Sequence, residues 1–150
     1  GLSREAASEE MEFVSESRIE KIEGEKIVPQ PEDVLAMADA YKKPELSYHY
    51  CAQICPIGAR YGNDVEPKAL SQIVLEVLSF LDDIAKERER LVEISVDGRI
   101  ADDELRDFAR IKSQLDDIAQ TVDALQLWLE KTIAADGIDA EALQEYLKDE

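Results

Sequence analysis

Residues 2–41 read LSREAASEEMEFVSESRIEKIEGEKIVPQPEDVLAMADAY, and this stretch decides the fold. Ser3 is placed to cap a first helix that runs to about Met11, with Ala6, Ala7 and Met11 on its inner side. Phe13 and Val14 are apolar residues in the following turn, where burial against neighbouring helices is expected. Ser15 then caps a second helix, turning Ile19 and Ile22 inward and leaving Glu16, Ser17, Arg18, Glu20 and Lys21 outside. Gly24 stops it, and Pro29 and Pro31 open a third helix with Val34, Leu35 and Ala38 on its core face.

From residue 64 the pattern is strongly helical. Leu70, Val74, Val77, Leu81, Ile84 and Leu91 recur at alternating four- and three-residue steps, interrupted by Arg88, and Ile73, Leu78 and Phe80 widen the stripe. Asp97-Gly98 ends this helix, and Asp102 or Asp103 caps the next, in which Leu115, Ile118, Val122, Leu125 and Leu129 repeat the spacing. Two long helices joined by a short Gly turn predict an antiparallel hairpin. A second Asp-Gly, Asp136-Gly137, precedes a short helix with Leu143, Tyr146 and Leu147. Trp128 between Leu127 and Leu129 makes three apolar neighbours, more than one helix face hides, so another element or a second subunit is expected over part of them. The expected fold is all-α. A partial helix-turn-helix at 1–45 precedes a cysteine-containing connector at 46–63 and an acidic helical module at 64–150 for dimerisation or sensing.

The chain carries 150 residues, 45 % of them hydrophobic, and a formal charge of −18. Residues 1–63 hold 7 Lys/Arg against 12 Asp/Glu, a net of −5, and residues 64–150 hold 10 against 23, a net of −13. Acidic surfaces repel phosphate backbones and anionic lipids, so charge alone argues against nucleic acid. No apolar run reaches bilayer length and no leader opens the chain, which gives an expectation of a cytoplasmic protein without a membrane partner.

The segment RIEKIEGEKIVPQPEDVLAMADAY resembles the second half of the Xre/Cro-type, lambda-repressor-like DNA-binding domain. That family shows an Ile-x-x-Ile-Glu recognition helix, a Gly-containing turn, a Pro and a final Leu/Ala-rich helix. KPELSYHYCAQICPIG also looks like the segment that follows this domain in a group of bacterial Xre-like regulators. The resemblance departs from the family at three points: its first helix would precede Leu2, the turn is one residue longer, and Glu16 and Glu20 stand where neutral or basic residues are usual. What the resemblance implies is a DNA-binding transcriptional regulator that reads DNA through the helix at 15–24. Ser15, Glu16, Ser17, Arg18 and Lys21 would face the DNA, with Arg18 and Lys21 contacting guanine or phosphate, while Ser3, Arg4 and Lys26 would position the backbone. Two-fold operators make a homodimer through the C-terminal helices the expected assembly.

Two further clusters are candidates for chemistry. Cys51 and Cys55 are four apart and share a helix face, with His49 nearby, giving two or three ligands for a soft metal that a dimer would complete; simple packing is the alternative. Glu93, Ser95, Asp97, Gly98, Ile100 and Glu104 occupy the first, third, fifth, sixth, eighth and twelfth positions of a calcium-type loop, although helix–Gly turn–helix gives the same letters. With no nucleophile elbow, no phosphate-cradling loop and one histidine, a non-enzyme is expected. Two alternatives to DNA reading stand: a helical interaction module without DNA, with a protein partner on the acidic hairpin, and a thiol or metal sensor using Cys51 and Cys55.

Overall fold

The computed structural model describes residues 2–96 and 98–148. Among them there are eight helices and no strand: α1 (Arg4–Glu10), α2 (Glu16–Glu23), α3 (Pro31–Ala40), α4 (Glu45–Gln53), α5 (Gly58–Tyr61), α6 (Leu70–Ser95), α7 (Leu105–Ala134) and α8 (Ala140–Lys148). The all-α expectation is met. The chain divides into two compact units, one formed by residues 2–67 with 127–148 and the other by 68–126, so the expected module at 64–150 is split within α7.

In the first unit α1, α2 and α3 close on Ala7, Met11, Val14, Ile19 and Met37, each at most 8 % exposed. Ser3 caps α1 as expected, its hydroxyl accepting the Ala6 N–H at 3.2 Å. Ser15 precedes α2, but its hydroxyl makes no capping bond. Pro31 occupies the first turn of α3, where a missing N–H costs nothing, and the Asp33 carboxylate at the third helical position reaches back to accept the Gln30 N–H, the acid's half of a capping box. Two expected core residues are not core. Phe13 is 66 % exposed while Val14 beside it is buried, and Leu35 is 57 % exposed while Met37 takes its place. Glu12 explains the first: its φ of +30° swings the chain so that only one of the two turn residues faces inward.

At the end of α4 the backbone turns back tightly. A Cβ on Gly58 would lie 2.2 Å from the Cys51 carbonyl oxygen, so only glycine fits there. Lys131 of α7 donates to Glu45 at 3.0 Å and Tyr48 to Glu130 at 3.5 Å, tying α4 to the last part of α7 within this unit. Leu127 is fully buried, and Trp128 and Leu129 are half-buried.

The second unit is an antiparallel hairpin of α6 and α7, and its ion pairs fix the register. Arg90 meets Asp107 at 2.7 Å, and Glu87, three residues earlier on α6, meets Arg110, three residues later on α7, at 2.8 Å. Glu76 and Thr121 continue the same register eleven residues further along each helix. The buried and half-buried face of α6 runs through Ile73, Val77, Phe80, Ile84, Glu87, Leu91 and Ile94, alternating steps of four and three. The expected stripe is therefore corrected. Val77, Ile84 and Leu91 belong to it, but Leu70, Val74 and Leu81 lie on a flank and are exposed. On α7, Ile111 is buried and Ile118 half-buried, while Leu115, Val122 and Leu125 of the expected stripe are exposed. α7 starts at Leu105 after a turn in which the Glu104 carboxylate accepts the Ala101 N–H, so neither Asp102 nor Asp103 caps it. Asp97, expected at the end of α6, lies outside the described residues, whereas Gly98 takes φ +68°, the left-handed conformation a glycine adopts without strain. No helix among the described residues is long and apolar enough to cross a membrane.

Candidate functional site

α1 and α2, joined by the turn at 11–15, pack against each other and α1 against α3. This leaves one side of α2 uncovered, and Ser15, Glu16, Ser17, Glu20, Lys21 and Glu23 lie on it, all exposed. Lys21 forms no ion pair with a described residue, and its ammonium stands free in solvent. Ser15 has an unspent hydroxyl at the helix start, where backbone N–H groups also point outward.

Arg18 is placed otherwise than expected. Its Nε donates to Asp33 Oδ1 and its Nη2 to Oδ2, both at 2.6 Å, a bidentate fork from α2 to α3. Asp33 is 4 % exposed and also accepts the Gln30 N–H at 2.7 Å. The Arg18 fork holds the Asp33 carboxyl below its ordinary range; burial opposes this, and the Gln30 bond adds to it. The guanidinium is thus committed to joining two helices, which removes Arg18 from the expected reading set. Sequence reasoning missed Asp33 as its partner. The signal was there: an acid three residues after Gln30, at the N3 position of a Pro-started helix, is a capping-box acid and faces back along the chain.

The backbone-positioning set is also engaged. The Ser3 hydroxyl caps α1, and Arg4 Nε donates to Glu23 at 2.7 Å on the surface. Lys26 lies 3.9 Å from Glu20, a loose exposed pair worth little. The motif face therefore offers Lys21 and Lys26 as its available cations among Glu16, Glu20 and Glu23.

The cysteine cluster divides. His49 and Cys51 sit on α4 and are exposed, whereas Cys55 follows the helix end and is half-buried. Both thiols are free, and no group of three or more His, Cys, Asp or Glu among the described residues is gathered around a metal-sized space. His49, Cys51 and Cys55 are thus not brought together as a ligand set. In the calcium-type segment, Glu93 pairs with Arg90 at 3.1 Å and Glu104 caps its own turn, so these two carboxylates are turned to local structure.

No protein-family model, no curated protein and no solved structure matches this chain.

Proposed function

We propose that this chain is a DNA-binding transcriptional regulator of the Xre/Cro type, which reads DNA through α2 and assembles as a homodimer through the hairpin. One observation carries the reading: α1, the turn and α2 share a closed core of Ala7, Met11, Val14 and Ile19 while the outer face of α2 stays bare. That is the arrangement a helix needs to enter a major groove. Ser15, Ser17 and Lys21 supply donors for phosphate and for guanine, and Glu16 supplies an acceptor for a cytosine amino group. Arg18 acts behind this face, fixing the angle between α2 and α3 through Asp33.

The hairpin supports the dimer. Leu70, Val74, Leu78, Leu81 and Val92 form a second apolar stripe on α6, about a quarter-turn from the seam with α7, and each is exposed. Two helices alone bury one face each, so a stripe of this length is suited to a second copy packed about a two-fold axis.

A second reading, a helical interaction module without DNA, is favoured by Glu16, Glu20 and Glu23 beside Lys21 and by the charge of −18. The thiol-sensor alternative keeps the exposed Cys51 as its support. Selection of genomic fragments by the purified protein separates the first two. Enrichment of a palindromic site, lost in Lys21→Glu with helicity intact, is the expected result; no enrichment even at low salt overturns DNA reading.

A further inference from the structure

A groove of about 550 Å³ runs between the α1–α2 turn and α3. Met11, Ala36 and Ala40 line its base, and the exposed side chains of Phe13 and Leu35 stand beside it. Both are out of the core: Glu12 sits at φ +30° immediately before Phe13, and Leu35 lies at the edge of the buried face of α3, next to Val34 and Ala38 but turned toward solvent. A non-glycine residue in the left-handed region persists only where the surroundings hold it, and here it displays an aromatic ring beside an apolar groove. Four carboxylates, Glu10, Glu12, Glu32 and Asp39, rim this groove, and none of them forms an ion pair with a described residue. Apolar walls inside a one-signed rim define the chemistry of what fits.

We propose that this groove docks a basic amphipathic helix of a partner protein, whose apolar face packs on Phe13 and Leu35 while its flanking lysines or arginines meet the four carboxylates. Charge complementarity selects this occupant. A second copy of this chain would bring the same four carboxylates against the first set, and an acidic or neutral helix would leave them unpaired and partly desolvated. The volume accommodates one or two large side chains, the size of the anchors that helix-in-groove recognition uses. The groove is separate from the bare face of α2, so the proposal stands whether or not α2 reads DNA.

The probe is a fluorescein-labelled synthetic helix of about five turns, with Leu at i, i+3, i+4, i+7 steps and Lys elsewhere. Its affinity for the full chain is read by anisotropy against the same peptide with Glu in place of Lys. The Leu/Lys helix is expected to bind and the Leu/Glu helix not. Phe13→Ala, and separately Glu10→Gln with Glu32→Gln, are expected to weaken binding about tenfold. Asp82→Asn with Glu89→Gln removes two exposed carboxylates on α6 and is expected to leave affinity unchanged. Circular dichroism melts confirm that the variants fold, since each changed side chain is exposed. Equal losses in the two neutralised pairs overturn the proposal, because binding would then be general adhesion to an acidic protein. Unchanged affinity in Phe13→Ala overturns it, as does loss of self-association in that variant, which would make the occupant a second copy.

Discussion

Removing the Asp33 carboxylate tests what holds the three-helix motif together. Asp33→Ala deletes two charge-assisted bonds from Arg18 and the bond from the Gln30 N–H, at 2.6, 2.6 and 2.7 Å. Loss of the capping acceptor alone costs about 1 kcal/mol. The Arg18 contribution is discounted, because its side chain is 38 % exposed and water partly replaces its lost partner. Together these give about 2 kcal/mol for the unit containing Asp33, a fall in Tm of roughly 10 °C for a domain of this size. Asp33→Asn keeps the shape and an acceptor for Gln30, so it should cost less and separates charge from capping. The pH dependence carries the sign. The folded-state pKa of Asp33 lies below its ordinary value of 3.8, so its contribution is fully present above that value and is lost as pH falls through the depressed one. The Tm gap between wild type and Asp33→Asn should therefore be constant at neutral pH and close in acid. Calorimetric melts across this range supply the assay. A gap that stays constant into strong acid, or an Asp33→Ala melt within about 2 °C of wild type, would refute the structural role.

Three other outcomes follow from the same geometry. Lys21→Glu should abolish DNA binding with unchanged helicity. Because Lys21 and Lys26 are the available cations on the motif face, a dimer neutralising about four phosphates should show a salt slope near −4 in log–log form, and a slope steeper than about −7 would mean that cations elsewhere carry the binding. Leu78→Glu with Leu81→Glu, both on the exposed stripe of α6, should turn a sedimenting dimer into a monomer that keeps its helices; a dimer that survives places the interface elsewhere. Ile73→Ala, in the buried seam, should destabilise the hairpin by about 2–4 kcal/mol, whereas Leu75→Ala, exposed on α6, should fall within about 0.5 kcal/mol of wild type in urea melts.

How far the sequence reached depends on the kind of signal. Helix existence and borders between residues 3 and 31 were legible because Ser3, Gly24 and Pro31 are chemical start and stop signals that act locally. Inner faces were less so. On α6 two apolar series interleave, Leu70, Val74 and Leu81 in one, Ile73, Phe80 and Ile94 in the other, and periodicity cannot rank them when both are hydrophobic. What separates them is which series meets α7: Ile73 and Ile94 are buried there, and Arg90 with Asp107 and Glu87 with Arg110 pair along the same side. Phe13 escaped for a different reason, since a left-handed Glu12 has no distinctive sequence signature. Arg18 escaped because its partner lies fifteen residues away, on another helix.

The position of Arg18 also changes the electrostatic case for DNA reading. With the bounds the structure draws, residues 2–67 and 127–148 carry 9 Lys/Arg against 19 Asp/Glu, a net of −10, so the unit holding α2 is not the mildly acidic one that a simple cut at residue 63 suggests. General attraction to phosphate cannot bring such a unit to a duplex. Affinity would have to come from contacts made only at close range: the outward N–H groups at the start of α2, the free Ser15 hydroxyl, and Lys21. Each is weak singly and grows when two copies bind at once, because the second engagement is intramolecular. In the proposed regulator, the bare α2 and the uncovered stripe on α6 would therefore serve one requirement. Without a dimer, the acidic surface would prevail over the few donors on α2, and with one, sequence-specific contacts would outweigh nonspecific ones by an unusual margin.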